Sequence, residues 1–293
     1  MDPIVRKIQL VGNRSYSISL PKPWIEYNNL SEKNSLKIFH SNNKLILSPT
    51  NSFSKEEITK EILIESNNLL ATKVLLFYIK GINNLKLNFN SLSDCFEGKK
   101  ILLKFLRHIE SFKITDESTN SITISSIHHT SKIQTKTIAK RMCVIIHQML
   151  ESIELNDIET KHILEDETDS LYYLSNRILN FCSKDLEIRN NNDILDIEEI
   201  FQWRTIFKRL ENIADILEKN ITCETIDFNK ISQILTILKR VLILNSTITS
   251  KDLENISNFS CENYHIQIIH MMTKDILQAL MTIKLNRKYF YKN

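Results

Sequence analysis

Two acidic pairs in the C-terminal half are the side chains of this chain best suited to chemistry. Glu165 and Asp169 form one Glu-x-x-x-Asp step, and Glu211 and Asp215 form the other. On a helix this spacing places both carboxylates of a pair on one face, one turn apart. If the two faces meet in a helical bundle, four carboxylates converge and repel one another unless a cation binds between them. The pattern therefore predicts a metal site at these four residues; charge pairs on exposed helix surface are the alternative.

The ligand types indicate which metal such a site would take. Oxygen-only ligation suits a divalent or iron-type ion, with Mg, Ca, Mn or iron favoured over zinc. His162 lies three residues before Glu165, so the same helix face can add an imidazole. A carboxylate-bridged di-metal enzyme is the least favoured interpretation of the site.

Glycine and cysteine usage exclude several function classes. The three glycines, Gly12, Gly81 and Gly98, cannot make a glycine-rich phosphate loop or a dinucleotide-binding turn. The five cysteines include no C-x-x-C pair, so neither a zinc site nor a disulfide framework is indicated, and a reducing cytoplasm is expected. No nucleophile can be matched with a base and an orienting group. We therefore expect a protein that is not an enzyme.

The elements that must position the acidic pairs are helices. From residue 132 onward glycine and proline are absent, and apolar residues recur at helical spacing. The stripes are Ile138, Met142, Ile145, Met149 and Ile153, with Ser131 as helix cap; Leu164, Leu171, Leu174 and Ile178; and Phe207, Leu210, Ile213, Ala214 and Leu217. Two more helices are predicted over 228–244 and 264–288, and the polar run 190–193 is predicted to connect two helices. Residues 132–293 are therefore predicted to form an all-α antiparallel bundle.

Residues 51–131 are predicted to form an α/β connecting domain. Strands are predicted over 58–64, 85–89, 112–115 and 121–127, and helices over 69–80, ending at Gly81, and 99–111. The order β-α-β-α-β-β predicts helices layered on a small sheet. A spacer or dimer-stabilising role is favoured over a small-molecule sensor.

Residues 1–50 are predicted to form a small β domain with a basic surface. Strands over 4–11, 15–20, 35–39 and 44–47 accompany a short helix that begins at the prolines near residue 22. So short a segment cannot bury a core alone, and it is expected to interleave with a copy of itself. It holds seven Lys/Arg and three Asp/Glu, a net charge of +4, so an anionic polymer is expected to meet it first. If that polymer is DNA, the phosphate contacts are Arg6, Lys7, Arg14 and Lys22.

The acidic motifs resemble those of the PhoU family of phosphate-signalling regulators, and the connecting domain, including Phe77-Tyr78-Ile79-Lys80-Gly81, resembles the linker that precedes a PhoU-like body in proteins of the archaeal type. The resemblance rests on Glu165 and Asp169 followed by Leu171-Tyr172-Tyr173-Leu174, and on Arg209-Leu210-Glu211 with Ile213 and Asp215 one helix later. It implies three-helix bundles lined by metal clusters, regulation of phosphate uptake, and a phosphate transporter or sensor protein as partner. The chain departs from the family at Ser170, where Arg is usual, and at Ile216, where His is usual.

The N-terminal segment resembles the AbrB/SpoVT/MazE swapped-hairpin domain. The matching residues are Arg6-Lys7-Ile8-Gln9, Gly12, Tyr16, Ile18, Leu20-Pro21-Lys22, Trp24, Leu36-Lys37-Ile38 and Leu45-Ile46-Leu47-Ser48-Pro49. The resemblance implies a swapped-hairpin barrel that forms a homodimer and commonly binds DNA. Where the family usually has Gly after the helix, this chain has Asn34, which is expected to take the positive φ.

Together these patterns predict a multidomain protein with domains at 1–50, 51–131 and 132–293. We expect a cytoplasmic, dimeric regulator of phosphate homeostasis that binds DNA through its N-terminal domain and metal through its bundle. The alternative is an AbrB/MazE-type transcription factor whose helical body only oligomerises. No membrane insertion is expected, because no apolar stretch approaches the roughly 20 residues of a membrane span, and residues 1–7 lack signal-peptide features.

Overall fold

The structure is a computed structural model that describes residues 3–12, 14–41, 44–50, 59–109, 111–127, 133–220, 227–244 and 246–290. The chain folds as two compact units, residues 1–56 and 57–293. The domain boundaries predicted after residues 50 and 131 adjoin or fall within segments outside the described residues. Both boundaries remain predictions.

The first unit contains two antiparallel hairpins and one short helix. β1 (Gln9–Val11) pairs with β2 (Ser15–Ser17), and β3 (Leu36–Ser41) pairs with β4 (Lys44–Pro49). Helix α1 (Lys22–Tyr27) follows β2 and begins directly after Pro21, where proline costs no helix hydrogen bond.

This unit has almost no core within a single chain. Of its described residues only Pro49 is buried. Eleven large apolar side chains in the described part of this unit are exposed: Ile4, Val5, Ile8, Leu10, Val11, Tyr16, Ile18, Tyr27, Ile38, Leu45 and Ile46. Two short hairpins without a covering layer are at best marginally stable in water.

The strands of the first hairpin are shorter than predicted. The strand expected over 4–11 is hydrogen-bonded only from Gln9, and the strand expected over 15–20 ends at Ser17. Each extended segment needs a neighbouring strand along its whole length, and within one chain these two meet over three residue pairs only.

The residue with positive φ after α1 is Asn29, at φ 50°, and not Asn34 as predicted. The side chain of Asn34 has another role, because its Oδ1 accepts hydrogen bonds from Ser31 N at 2.6 Å and Ser31 Oγ at 2.9 Å. An asparagine can close a turn through such bonds without entering the left-handed region.

The second unit begins with a layer of helices on a four-stranded sheet. Its elements are β5 (Thr59–Ile64), α2 (Leu70–Lys80), β6 (Asn84–Phe89), α3 (Leu92–Phe105), β7 (Phe112–Glu117) and β8 (Ser121–Ser126). The sheet order is β5-β6-β8-β7, with β5 and β6 parallel and the other neighbours antiparallel. Alternate residues of β6, namely Leu85, Leu87 and Phe89, are buried, so one face of the sheet carries the core. The predicted β-α-β-α-β-β order is confirmed.

Helix α3 begins seven residues before the position predicted for it. Ser91 precedes the helix in an extended conformation, and its Oγ accepts a hydrogen bond from Asp94 N at 3.1 Å. This cap starts the helix at Leu92 rather than at 99. The helix then ends at Phe105, because the chain tightens into a 3-10 turn over Leu106–His108 before β7.

The rest of the second unit is a helical bundle. Its helices in the described chain are α4 (Thr135–Glu154), α5 (Ile158–Lys184), α6 (Leu186–Asn191), α7 (Ile197–Asn220), α8 (Phe228–Leu238), α9 (Ser250–Ser257) and α10 (Tyr264–Phe290). All three predicted apolar stripes lie in or against one continuous core. None of the described helices combines enough length with enough apolar character to traverse a bilayer.

The run 190–193 is not the polar connection that the sequence suggested. Its first residues belong to α6, and Asn192 is buried. The Oδ1 of Asn192 accepts hydrogen bonds from Thr135 N at 2.9 Å and Thr135 Oγ at 2.7 Å, so it caps α4 from 57 residues away. The cap predicted for this helix, Ser131, lies outside the described residues.

The C-terminal helices differ from the prediction in two places. The helix predicted over 228–244 is α8, which ends at Leu238 and continues as a π-helical turn over Lys239–Ile243. A short helix, α9, was not predicted; the side chain of Thr249 caps it in a reciprocal pair with Asp252. The last predicted helix is confirmed as α10.

The α/β layer joins the bundle where the C-terminal end of α2 contacts α5. Arg177 of α5 is 1% exposed, and its guanidinium donates to the main-chain oxygen of Tyr78, to Ile82 O at 3.2 Å and to Asn83 Oδ1 at 2.7 Å. No carboxylate of the described chain forms a salt bridge with Arg177. Burial lowers its pKa to about 10.

Two further side chains of α5 bind the same helix end. Asn180 Nδ2 donates to Ile79 O at 2.9 Å, and Lys184 Nζ donates to Lys80 O at 3.1 Å. The last carbonyl groups of a helix have no partner inside it and carry its partial negative charge. Helix α5 therefore satisfies the end of α2 with three donors, two of them cationic.

Aromatic rings and Gly81 complete this junction. The Arg177 guanidinium lies 4.6 Å from the ring centre of Tyr78, 5.6 Å from that of Phe112 and 5.2 Å from that of Phe181. Gly81 ends α2 at φ 90°, and a Cβ there would lie 2.5 Å from the Phe181 ring. Only glycine combines this conformation with this approach.

Arg177→Ala is expected to lower the free energy of unfolding by about 3 kcal/mol or more, because it leaves buried carbonyl acceptors without donors and opens a cavity. Urea unfolding measures the change. The exposed Arg204→Ala on α7 is the matched control and should stay within about 0.5 kcal/mol of the parent chain. Equal stability of the two variants would show that the junction does not depend on the guanidinium.

Candidate functional site

Helices α5 and α7 pack together and place the predicted acidic residues on one shared surface. Glu165 and Asp169 lie one turn apart on α5, and Glu211 and Asp215 lie one turn apart on α7. All four side chains are partly buried at the margin of the core stripes. Their charges interact across the helix pair, since Asp215 raises the pKa of both Glu165 and Asp169. These four residues form the acidic face.

Burial and mutual repulsion disfavour the ionised form of this face. Burial, and then the charge of Asp169, raise the pKa of Glu165 from its ordinary 4.5 to about 7. Burial is also the largest cause of the raised pKa values of Asp169 and Glu211, with neighbouring carboxylates adding to it. A proton or a bound cation would relieve this repulsion.

Two lysines of α7 supply part of the missing positive charge. Lys208 Nζ lies 2.6 Å from Glu211 Oε2, and Lys219 Nζ lies 2.9 Å from Asp215 Oδ1. Within the described chain, neither Glu165 nor Asp169 forms a salt bridge with a lysine or an arginine. The lysines therefore neutralise the two carboxylates of α7, Glu211 and Asp215, and not those of α5.

The α/β layer also reaches the acidic face. Tyr173 packs against the core of that layer, and its hydroxyl donates to Asp169 Oδ2 at 3.4 Å. Burial, and then the charge of Asp169, raise the pKa of this tyrosine. His108, from the turn after α3, lies 3.4 Å from Asp166 Oδ1, and a positive charge on its ring would act to lower the pKa of Asp169.

His162 pairs with a carboxylate outside the four predicted ligands. Its Nδ1 lies 2.8 Å from Glu218 Oε1. Across the described ranges, no three His, Cys, Asp or Glu side chains are arranged as they stand to hold a metal ion. The oxygen donors themselves suit a hard cation. Such an ion would have to displace the ammonium groups of Lys208 and Lys219.

Four ionisable neighbours of the acidic face are absent from the sequence-based prediction: Lys208, Lys219, Glu218 and His108. A signal for the lysines was present in the sequence, because Lys208 lies three residues before Glu211 and Lys219 four residues after Asp215. Those spacings place opposite charges on one helix face. His108 is 61 residues from Asp169 in sequence, so only the tertiary structure reveals its approach.

The predicted DNA contacts are all exposed on the first unit. Arg6, Lys7 and Arg14 form no salt bridge with any described residue, and Lys22 lies 3.6 Å from Glu26 Oε1 with 85% of its side chain exposed. An ion pair this exposed contributes little energy and is readily exchanged for another anion. The four cations are therefore available to contact phosphates.

Glu165→Gln is expected to stabilise the second unit at pH 8 and not at pH 4. The folded chain holds the Glu165 proton up to about pH 7, whereas the unfolded chain loses it near 4.5, so stability falls as the pH rises between these values. After allowance for solvent screening, the gain at pH 8 is about 1 kcal/mol.

Urea unfolding at the two pH values measures this effect. Glu262→Gln, an exposed change in the loop before α10, is the control and should alter stability equally little at both. A Glu165→Gln variant without a pH-dependent gain would show that the carboxylate is not held in an unfavourable environment.

Comparison with known proteins identifies the first unit only. Residues 9–55 match the family described as antidote-toxin recognition MazE, bacterial antitoxin, and this range spans all four strands of the unit. Searches of curated proteins and of solved structures return no match to the chain. The AbrB/MazE resemblance of the N-terminal segment is therefore confirmed, and that segment is similar to a protein family of antitoxin or transcription-factor type.

Proposed function

We propose that the chain is a homodimeric, DNA-binding regulator that acts in the cytoplasm and has no catalytic activity of its own. The observation that carries this proposal is the MazE-like first unit with its apolar side chains uncovered and its predicted DNA contacts exposed. A second copy of the unit would bury the exposed hairpins and supply the strand partners that a single chain lacks.

The charges of the first unit support DNA as its ligand. Seven Lys/Arg and three Asp/Glu lie within residues 1–50, and pairing two copies doubles this surplus on one surface. Contacts of lysine and arginine with phosphates supply most of the affinity for DNA irrespective of its sequence. Arg6, Lys7, Arg14 and Lys22 would make these contacts.

The finer proposal assigns the helical body to regulation of phosphate uptake. It is supported by the PhoU-like motifs and by the convergence of their carboxylates on α5 and α7. A divalent or iron-type ion held by Glu165, Asp169, Glu211 and Asp215 would neutralise the acidic face and release the two lysines. A phosphate transporter or sensor protein would then meet a surface whose charge depends on metal loading.

The second candidate is a transcription factor of the AbrB/MazE type whose helical body only oligomerises. The salt bridges of Lys208 and Lys219 favour it, because they already neutralise half of the acidic face without a metal. The two candidates share the DNA-binding first unit and differ in whether the acidic face takes up metal.

Replacing the four N-terminal cations by alanine is expected to weaken binding of a labelled random-sequence DNA duplex by about tenfold or more. The salt dependence of binding should also become less steep, because fewer phosphate contacts release fewer counterions. Fluorescence anisotropy at several salt concentrations measures both effects.

Arg204→Ala/Lys284→Ala, which removes exposed cations from the helical body, is the control and should bind DNA like the parent chain. Sedimentation should show that both variants remain dimers. Equal affinities of the two variants would contradict DNA binding through the first unit.

MnCl₂ is expected to raise the melting temperature of the parent chain and to have no effect on a variant in which all four acidic-face carboxylates become amides. Lys219→Met should increase the Mn²⁺ affinity, because it removes the ammonium that competes for Asp215. Melting curves and metal analysis of the dialysed protein measure the outcome.

The control for this experiment is Glu254→Gln/Glu262→Gln, which removes two exposed carboxylates elsewhere in the bundle and should keep the Mn²⁺ effect. Identical responses of the parent chain and the acidic-face variant would leave the second candidate function in place.

A further inference from the structure

A groove in the bundle lies between α8, α9 and α10. Its volume is about 800 Å³, which falls within the roughly 300–1,000 Å³ of small-molecule sites. The residues that line it come from α8, the π-helical turn, α9, the loop after α9, and His270 of α10. The acidic-face residues do not line it.

The floor of this groove is apolar. Ile237, Val241, Ile256 and Leu277 form a small core of their own beneath α8 and α9. Ile234, Ile237 and Ile256 line the groove, and the ring of Phe259 stacks on His270 with 4.6 Å between ring centres. A flat ring of a ligand can lie on such a floor at little cost.

The charges along the groove are mostly positive. Lys230, Arg240 and Lys251 line it with one carboxylate, Asp252, and Lys230 also lies 3.8 Å from Asp227 Oδ2. Asp252 is already engaged by Arg240 and by the Thr249 cap at the start of α9. Lys251 forms no salt bridge with the described residues, so the groove has positive charge to offer to an anion.

Polar side chains around the rim have unused hydrogen-bonding capacity. None of the following makes a side-chain hydrogen bond within the described chain: Ser232, Gln233, Asn255, Asn258 and Ser260. Amide and hydroxyl donors beside a cation are the groups that recognise a phosphate and its attached sugar or ring.

The π-helical turn positions the key cation. Arg240 follows α8 and belongs to the π-helical turn over Lys239–Ile243, where the helix is wider than a regular α-helix. There the guanidinium reaches Thr247 O at 3.0 Å and pairs with Asp252 of α9. Such turns within helices occur often at functional sites.

The apolar floor, the cationic side chains and the polar rim together fit one class of ligand. We propose that the α8–α10 groove binds a nucleoside phosphate, with the base on the apolar floor and the phosphates at Lys251 and Arg240. The inference does not rest on DNA binding or on metal binding, because neither proposal uses these residues. It adds a small-molecule effector site to the helical body of the regulator.

Calorimetric titration of the full chain with ADP, GDP, CDP and UDP tests the inference. At least one is expected to bind with a micromolar dissociation constant. The matching nucleoside and inorganic phosphate should each bind at least about tenfold more weakly, because each lacks one half of the recognised ligand.

Two groove variants, compared with a control variant outside the groove, test whether the ligand binds in the groove. Lys251→Glu should weaken binding about tenfold or more, whereas Lys284→Glu, on the exposed surface of α10, should leave it unchanged. Ser260→Trp should block the groove without altering its charge, and unchanged melting temperatures would show that the variants remain folded.

Three results would overturn the inference: no binding of any of the four diphosphates at millimolar concentration, equal affinity for inorganic phosphate alone, or binding that survives both groove variants. Each of these results would overturn the nucleotide-binding inference even if the chain binds DNA and Mn²⁺ as proposed. Failure of this inference can therefore be distinguished from failure of the proposed function.

Discussion

The carbonyl groups at the C-terminal end of α2 need hydrogen-bond donors, and side chains of α5 supply them. These hydrogen bonds determine how the helical bundle is arranged against the α/β layer. Arg177, Tyr173 and Asp169 follow one another at intervals of one helical turn on α5. The first holds the end of α2, the second packs against the α/β core, and the third belongs to the acidic face. Anchoring α5 at Arg177 therefore sets the rotation at which its carboxylates meet those of α7. In this sense the α/β layer is part of the candidate site, because it also contributes His108.

The body separates its charges in an unusual way. One buried cation is held by carbonyl oxygens and ring faces without a carboxylate, while the acidic face gathers four carboxylates beside two lysines. The α8–α10 groove has a smaller imbalance of the opposite sign, because Lys230 and Arg240 pair with Asp227 and Asp252, and Lys251 forms no salt bridge within the described chain. Unbalanced charge in a partly buried setting is unfavourable for folding, and it persists where something outside the chain can balance it. The ligands proposed for these two places are accordingly of opposite sign.

Local patterns in the sequence were sufficient for part of this structure. Apolar periodicity predicted the long helices, Gly81 marked the end of α2, and the i,i+4 acidic steps predicted the shared face. The errors arose where a single side chain decides a boundary: Ser91 starts α3 early and Asn192 caps α4 from far along the chain. The π-turn and α9 were missed because packing against neighbouring helices overrides the helical period of the sequence. Arg177 was not recognised, since nothing next to it in sequence distinguishes a buried arginine from an exposed one.

The bare hairpins of the first unit have a consequence for how the protein responds to its own abundance. If the first unit dimerises as proposed, it draws its folding free energy largely from association, because only Pro49 among its described residues is buried within one chain. By mass action, the fraction of assembled first units then depends on the total protein concentration, and the helical body, with its own core, does not share that dependence. In a dimeric regulator, occupancy of DNA would rise more steeply than the protein level. Dilution during cell growth would release DNA before it affected the fold of the body.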